Sequence, residues 1–310
     1  MITAVTLNPA IDRTVIVETF NPGSVNRVAS SREDIGGKGI NVTRILLALG
    51  SKAVAVGFIG ARNEALVKGL LIRDGIIGDF ISVDSFTRQN IKLIENVTHQ
   101  TTEINEAGFH VSSDDIEAVK KLISNYAASS SFVVFSGSVP PGMANTIYCD
   151  LAALLPSDCK LVIDADGDLL MNGLSARPYL IKPNIHELGN ALGRVLNTAE
   201  DIKSAGRQII DKYQVSYVLV SMGGDGSILV TPDTAMHAAA LKVNVRNTVG
   251  AGDAMLAGFI HSLAIGRSDC QALAYATACG ALAVSKIGTE TISPEGIDSL
   301  VSQVQISDLT

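Results

Sequence analysis

The sequence predicts an α/β fold, a doubly wound and mostly parallel sheet with a small β-sheet projecting from it. Three observations predict it. Short, near-continuous apolar runs rich in β-branched residues recur along the chain, as expected of strands covered on both faces. Amphipathic helical stretches separate several of these runs. Two more polar stretches break the rhythm with a period of two and lack long helical crossovers.

In chain order, the first buried strand is expected at 2–7, "ITAVTL". The polar stretch 12–35 follows and is assigned to the small sheet. "ILLALGSKAVAVGFIG" is interrupted by Gly50, Ser51, Lys52 and Gly57, so it reads as a helix, a turn and a buried strand at 53–59. The second polar stretch, 86–110, completes the small sheet. A helix at 113–127 takes Ser113 as its expected N-cap. Strands at 132–136, 160–164 and 179–182 lead to a helix at 198–213, then to strands at 217–221 and 227–231. Residues 1–11, 36–85 and 111–310 thus form the α/β core, with 12–35 and 86–110 as a β lid on the same structural unit.

A chain of 310 residues accommodates one large α/β domain or two small ones. Its net charge of −7 disfavours nonspecific nucleic-acid binding, although a few local cations suffice for a small anionic substrate. Hydrophobic residues make up 47% of the chain, yet no apolar run approaches the roughly 18 residues of a membrane span. The N-terminus lacks a basic n-region, so no signal peptide is expected. Cys149, Cys159, Cys270 and Cys279 form no CxxC pair and read as idle thiols in a reducing cytoplasm.

In open α/β sheets, ligands gather at the C-terminal ends of strands. Asn8, Asp12, Ser136, Gly137, Asp164, Lys182 and Asn184 lie at or just after such ends. The most telling stretch is "NTVGAGDAMLAGF" at 247–259, where Gly250, Ala251, Gly252 and Asp253 open a helix. Met255, Leu256, Phe259, Ile260 and Leu263 follow at helical spacing. Such a helix mouth presents free N–H groups and a positive dipole end to an anion. Asp253 is either an ordinary first-turn acid or a carboxylate facing a hydroxyl, which makes it a candidate base for phosphoryl transfer. "GGKGIN" at 36–41 opens a second helix and sets Lys38 between glycines. "SMGGDG" at 221–226 suits a polyphosphate, a hairpin between strands, or both.

In "KPNIHEL", 182–188, Asn184 and Glu187 either share a water-coordinated Mg²⁺ or cap a helix. In "TRQNIKL", 87–93, Arg88, Asn90 and Lys92 share one strand face. That face suits a phosphorylated sugar, or it is a solvated edge. "SGSVPPG", 136–142, is a rigid turn that can line a pocket. No Walker A motif occurs, and Met255 takes the place of the third glycine of GxGxxG. Together these motifs fit an ATP-dependent kinase without a P-loop.

These stretches, with "TLNPAID" near the start, fall end to end in the order of a known family. The chain resembles the ribokinase-like (PfkB-type) carbohydrate kinases. The resemblance implies that Asp253 is the base and that Gly250, Ala251 and Gly252 form an anion hole. It gives sugar hydroxyls to Asp12, Gly37 and Asn41, and the substrate's own phosphate to Lys38 and Arg88. Asn90, Lys92, Asn105 and Ser136 are also implied in substrate binding, and Arg27 in a contact across a dimer. ATP falls to Lys182, Asn184, Ser221, Gly223, Gly224, Gly226, Thr248 and Gly252, with Mg²⁺ held through water by Glu187 and Asn184. Lid-to-lid packing would make a homodimer. Within the family, "TRQNIKL" and "TEINEAG" resemble the branch that phosphorylates fructose 1-phosphate on its 6-hydroxyl. Tagatose 6-phosphate and fructose 6-phosphate are the alternative substrates, and a noncatalytic sugar-phosphate sensor is the remote alternative. Two departures from close relatives are Asp166, where a small Ser is usual, and Ala254, which replaces a common Ser.

Overall fold

The structure is a computed structural model and describes residues 1–246, 248–286 and 291–309. The chain begins with β1 (Ile2–Thr6), every residue of which is buried. It then enters the small sheet through β2 (Ala10–Val17) and β3 (Ser30–Gly36) before α1 (Lys38–Ala48). β4 (Ala53–Gly60), α2 (Glu64–Arg73) and β5 (Gly78–Val83) return it to the core. β6 (Arg88–Glu95) and β7 (Thr101–Asn105) complete the small sheet.

The remaining chain alternates. α3 (Ser113–Ala127) precedes β8 (Phe132–Ser136), and α4 (Ile147–Ala152) precedes β9 (Lys160–Asp164). α5 (Gly167–Gly173) leads to β10 (Leu180–Ile181), and α6 (Ile185–Leu192) and α7 (Ala199–Tyr213) lead to β11 (Tyr217–Ser221). β12 (Ser227–Val230), β13 (Ala235–Ala238), α8 (Ala251–Ala264), α9 (Asp269–Val284), α10 (Pro294–Val301) and β14 (Ile306–Asp308) end it.

Among the described residues the large sheet has ten strands in the order β14-β13-β12-β11-β10-β9-β8-β1-β4-β5. It is parallel from β5 through β11, and antiparallel from β11 to β14. The apolar runs are continuous because each strand feeds two cores. Val5, Val133 and Phe135 pack with the helices α3 to α7 on one face, while Ile2, Ala4, Phe132 and Val134 pack with α1, α8, α9 and α10 on the other. Each fully buried side chain of this size contributes roughly 1.5–3 kcal/mol of burial free energy.

The structure refines the expected boundaries. Ser112, not Ser113, caps α3, and Asp115 reciprocates in a capping box. The strand expected at 179–182 shrinks to two residues, Leu180 and Ile181. The turn 222–226 does join a hairpin, pairing Ser221 with Ser227. The small sheet starts at Ala10 and has the order β3-β2-β6-β7. Its register sets Asp34, Asp12, Asn90 and Asn105 side by side across four strands.

Candidate active site

Strand ends and helix starts converge between the two sheets. Ser136 and Asp164 end β8 and β9, Lys182 follows β10, and Ser221 ends β11. Their backbones arrive together because the strands run parallel, as the sheet geometry requires. They open into a cleft of about 1490 Å³. Every site residue expected from the sequence lines this cleft, with one exception. Arg27 is exposed on the loop between β2 and β3 and does not line it. Arg27 thus stands apart from the cleft of its own chain. Asn247, which opens the second glycine stretch, lies outside the described residues.

The mouth of α8 is the centre of the site. Gly250 takes a left-handed conformation with φ of 81°, which an L side chain rarely adopts. Among the described residues no side chain caps this helix, and the N–H groups of Gly252 and Asp253, in its first turn, have no acceptor within it; both residues line the cleft. A Cβ on Gly252 would lie 3.1 Å from Lys182 Nζ, so the glycine lets that ammonium approach the helix mouth.

The other candidate terminus contrasts with it. Asn184 Oδ1 accepts the backbone N–H groups of His186 and Glu187, and Glu187 Oε2 accepts that of Asn184, both Glu187 bonds at 2.8 Å. The capping reading of this pair is therefore correct. Both residues still line the cleft, and Glu187 keeps a second carboxylate oxygen.

Asp253 is 6% exposed, and Asn41 Nδ2 donates to its Oδ2 at 2.8 Å. Burial pushes the carboxyl up to about 6, and the nearby Asp164 charge adds to the rise. The Asn41 hydrogen bond and the Lys38 and Lys182 charges oppose it. Asp164 itself is fully buried, which would raise its pKa. Lys182 at 3.2 Å and Lys38 at 3.4 Å outweigh that effect and hold it ionised. Burial would lower Lys38, but Asp164, Asp253, Glu187 and Asp166 keep its ammonium above the ordinary lysine range. The result is two cations pinned to one carboxylate oxygen, beside the open mouth of α8.

On the small sheet, Asn90 Nδ2 donates to Asp12 Oδ1 at 2.8 Å. Burial raises Asp12, with the Asn90 bond and the Arg88 charge opposing. Gly36 makes this placement possible, since a Cβ there would fall 2.0 Å from Asp12 Oδ2. Arg88 lines the cleft while its guanidinium donates to the carbonyls of Glu106 and Asn8. Lys92 faces Glu103 at 3.9 Å. Gly223, Gly224 and Gly226 form the turn at the opposite end, with Thr248 nearby on the lining. Asp166 precedes α5 and also lines the cleft.

Two buried residues behind the cleft were given no role from the sequence. Asp164 was noted only as an acid ending a buried strand. Arg44, 4% exposed and hydrogen-bonded to Asn41, was visible as a lone cation in an otherwise apolar helix stretch.

The arrangement suits in-line transfer of a phosphoryl group to a hydroxyl, and comparison with known proteins agrees. The model for "pfkB family carbohydrate kinase" matches residues 5–296. A protein named 1-phosphofructokinase from Rhodobacter capsulatus is 36% identical, covering 99% of this chain and 98% of the relative. One of the same name from Vibrio cholerae is 35% identical, with 99% and 97% covered. Among solved structures, phosphofructokinase-2 from Escherichia coli in complex with substrates and products superposes with a TM-score of 0.90 at 25% identity, covering 97% of this chain and 98% of that one. Ribokinase from Thermotoga maritima shares the fold, with a TM-score of 0.78 at 21% identity over 97% of this chain and 99% of that one. The chain belongs to the pfkB family of carbohydrate kinases.

Proposed function

We propose that this protein transfers the γ-phosphoryl group of ATP to the 6-hydroxyl of fructose 1-phosphate, giving fructose 1,6-bisphosphate and ADP. The observation that carries the reaction is the uncapped mouth of α8, with a buried carboxylate at its third residue and two lysines beside it. The choice of sugar rests on the full-length relatives named 1-phosphofructokinase.

Asp253 takes the proton of the acceptor hydroxyl as the new O–P bond forms and the bond to ADP breaks. The α8 N–H groups and the Lys38 and Lys182 ammonium groups offset charge on the group in flight. Asp12, held by Asn90, accepts from sugar hydroxyls, and Arg88 and Lys92 face the phosphate already on the sugar. The turn at Gly223 to Gly226 is open on the cleft side at Gly223 and Gly224, where a Cβ would meet nothing within 4 Å, so a polyphosphate fits against its backbone. Glu187 would hold Mg²⁺ through water with the carboxylate oxygen that does not serve the α6 cap, and Asn184, whose single side-chain oxygen caps α6, would border that water shell. That ion would supply charge neutralisation between the phosphates.

We assign the small sheet as a lid that closes on the sugar and excludes water. Val25, Val28 and Ile104 are exposed on it, which favours a homodimer through the lid and leaves Arg27 to act across that interface. The protein would work in the cytoplasm; among the described residues no helix is long and apolar enough to cross a membrane.

The test is ATP consumption with fructose 1-phosphate, fructose 6-phosphate and tagatose 6-phosphate. The reading predicts that fructose 1-phosphate leads by at least about a hundredfold in kcat/KM. A lead by another sugar phosphate would keep the base and overturn the assignment of Arg88, Asn90 and Lys92.

A further inference from the structure

We propose that Arg44 is a positioning residue for the base: it fixes the side-chain amide of Asn41 so that the nitrogen, not the oxygen, faces Asp253. Arg44 lies one helical turn after Asn41 on α1, and its NH1 donates to Asn41 Oδ1 at 2.6 Å. A guanidinium is a donor only and does not deprotonate in proteins. The amide atom that meets it must therefore be the oxygen. That leaves Nδ2 to meet Asp253 Oδ2 at 2.8 Å. A reversed amide would set donor against donor at Arg44 and acceptor against acceptor at Asp253.

The guanidinium is itself immobilised. NH2 donates to the Ile35 carbonyl of β3 at 2.7 Å and to Asp74 Oδ2 at 3.2 Å, at the end of α2. One side chain thus ties the root of the small sheet, α1 and α2 to the carboxylate at the mouth of α8. Two consequences follow. Asn41 occupies Oδ2, which directs Oδ1 to the acceptor hydroxyl. The bond also favours the ionised base against burial and against Asp164. The charged groups facing Asp253 are Lys38, Lys182 and Asp164, and those facing Arg44 are Asp74, Asp34 and Asp12.

This inference rests on Asp253 as base. It is tested by pH profiles of kcat/KM with fructose 1-phosphate for the wild type, Arg44→Met, Arg44→Lys and Asp253→Asn. Arg44→Met removes the donor that orients Asn41. The acid limb is expected to move up by about one pH unit, with the rate well above the limb recovering to within about threefold of wild type. Arg44→Lys keeps a charge beside Asp74 but lacks the fork that reaches Asn41, Ile35 and Asp74 together, so its limb moves the same way. It decides the question should Arg44→Met fail to fold. An unmoved limb with a uniformly lowered plateau overturns the proposal and leaves Arg44 a purely structural role. A fully active Asp253→Asn instead overturns the base assignment, whatever the Arg44 variants do.

Discussion

Asp253 shows how one residue acquires a role from its surroundings. A carboxyl at the third position of a helix is ordinarily a small electrostatic bonus. Here burial and the Asp164 charge lift it to about 6, close to the range where a base is both ionised at neutral pH and able to accept a proton. With Asp253 as the proposed base, the ionised form is the active one, so kcat/KM should rise with pH through about 6 and level off above it, and a pH series checks this. The same shift has a stability consequence. Its folded-state pKa is raised, so the carboxyl's contribution is fully present below its unfolded value of 3.8 and is lost as pH rises through about 6. Asp253→Asn, which cannot ionise, should therefore melt higher than wild type at pH 8, and the gap should close near pH 4. Differential scanning calorimetry at the two pH values reads it. Asp164 is the opposite case. Its removal leaves Lys182, 5% exposed, as a buried charge without its partner. Asp164→Ala should cost about 3–5 kcal/mol in a denaturant titration as well as most of the activity.

Two elements reach the cleft through glycine, and each glycine has its own reason. Gly250 is needed for its left-handed backbone, Gly36 for space. Gly36→Ala keeps an allowed backbone but drives a methyl into Asp12, so KM for the sugar phosphate should rise at least tenfold while KM for ATP holds, as steady-state kinetics would show. These elements were legible in the sequence because their signals are local. Glycines ahead of an apolar period mark α1 and α8, and continuous β-branched runs mark β1, β4, β8, β9 and β11. The short strands were legible only in part. β10 was expected at 179–182 but keeps only Leu180 and Ile181, held by parallel partners on both sides, while β13 and β14, held by antiparallel pairing rather than by pattern, were not read. The Asn184 and Glu187 pair shows a different limit: one spacing serves a capping box and a water-bound cation equally well, and the geometry shows the cap. Arg44 escaped for a third reason, because its meaning lies in Asn41, Ile35 and Asp74, and no local pattern reports contacts between α1, β3 and α2.

At the scale of the molecule, the two sheets divide the labour. The large sheet and its helices position Asp253 and the paired lysines, and the small sheet brings Asp12, Asn90 and Arg88 to the same cleft; in the proposed reading the first is the nucleotide side and the second meets the acceptor. The small sheet leaves apolar residues in water, Ile104 at 58% exposure among them. A lid-to-lid dimer would cover them. Ile104→Lys should then shift the sedimentation coefficient from dimer to monomer without lowering the melting temperature of the core, whereas a monomeric wild type would remove the dimer from the account. The central claim, that a buried acid at a glycine-gated helix mouth takes the proton from the 6-hydroxyl of fructose 1-phosphate, is tested most directly by one comparison. It is kcat with ATP, Mg²⁺ and saturating fructose 1-phosphate at pH 8, for wild type and Asp253→Asn. The account predicts turnover by the wild type and a loss of about a thousandfold or more in the variant. Comparable turnover by the two would contradict it.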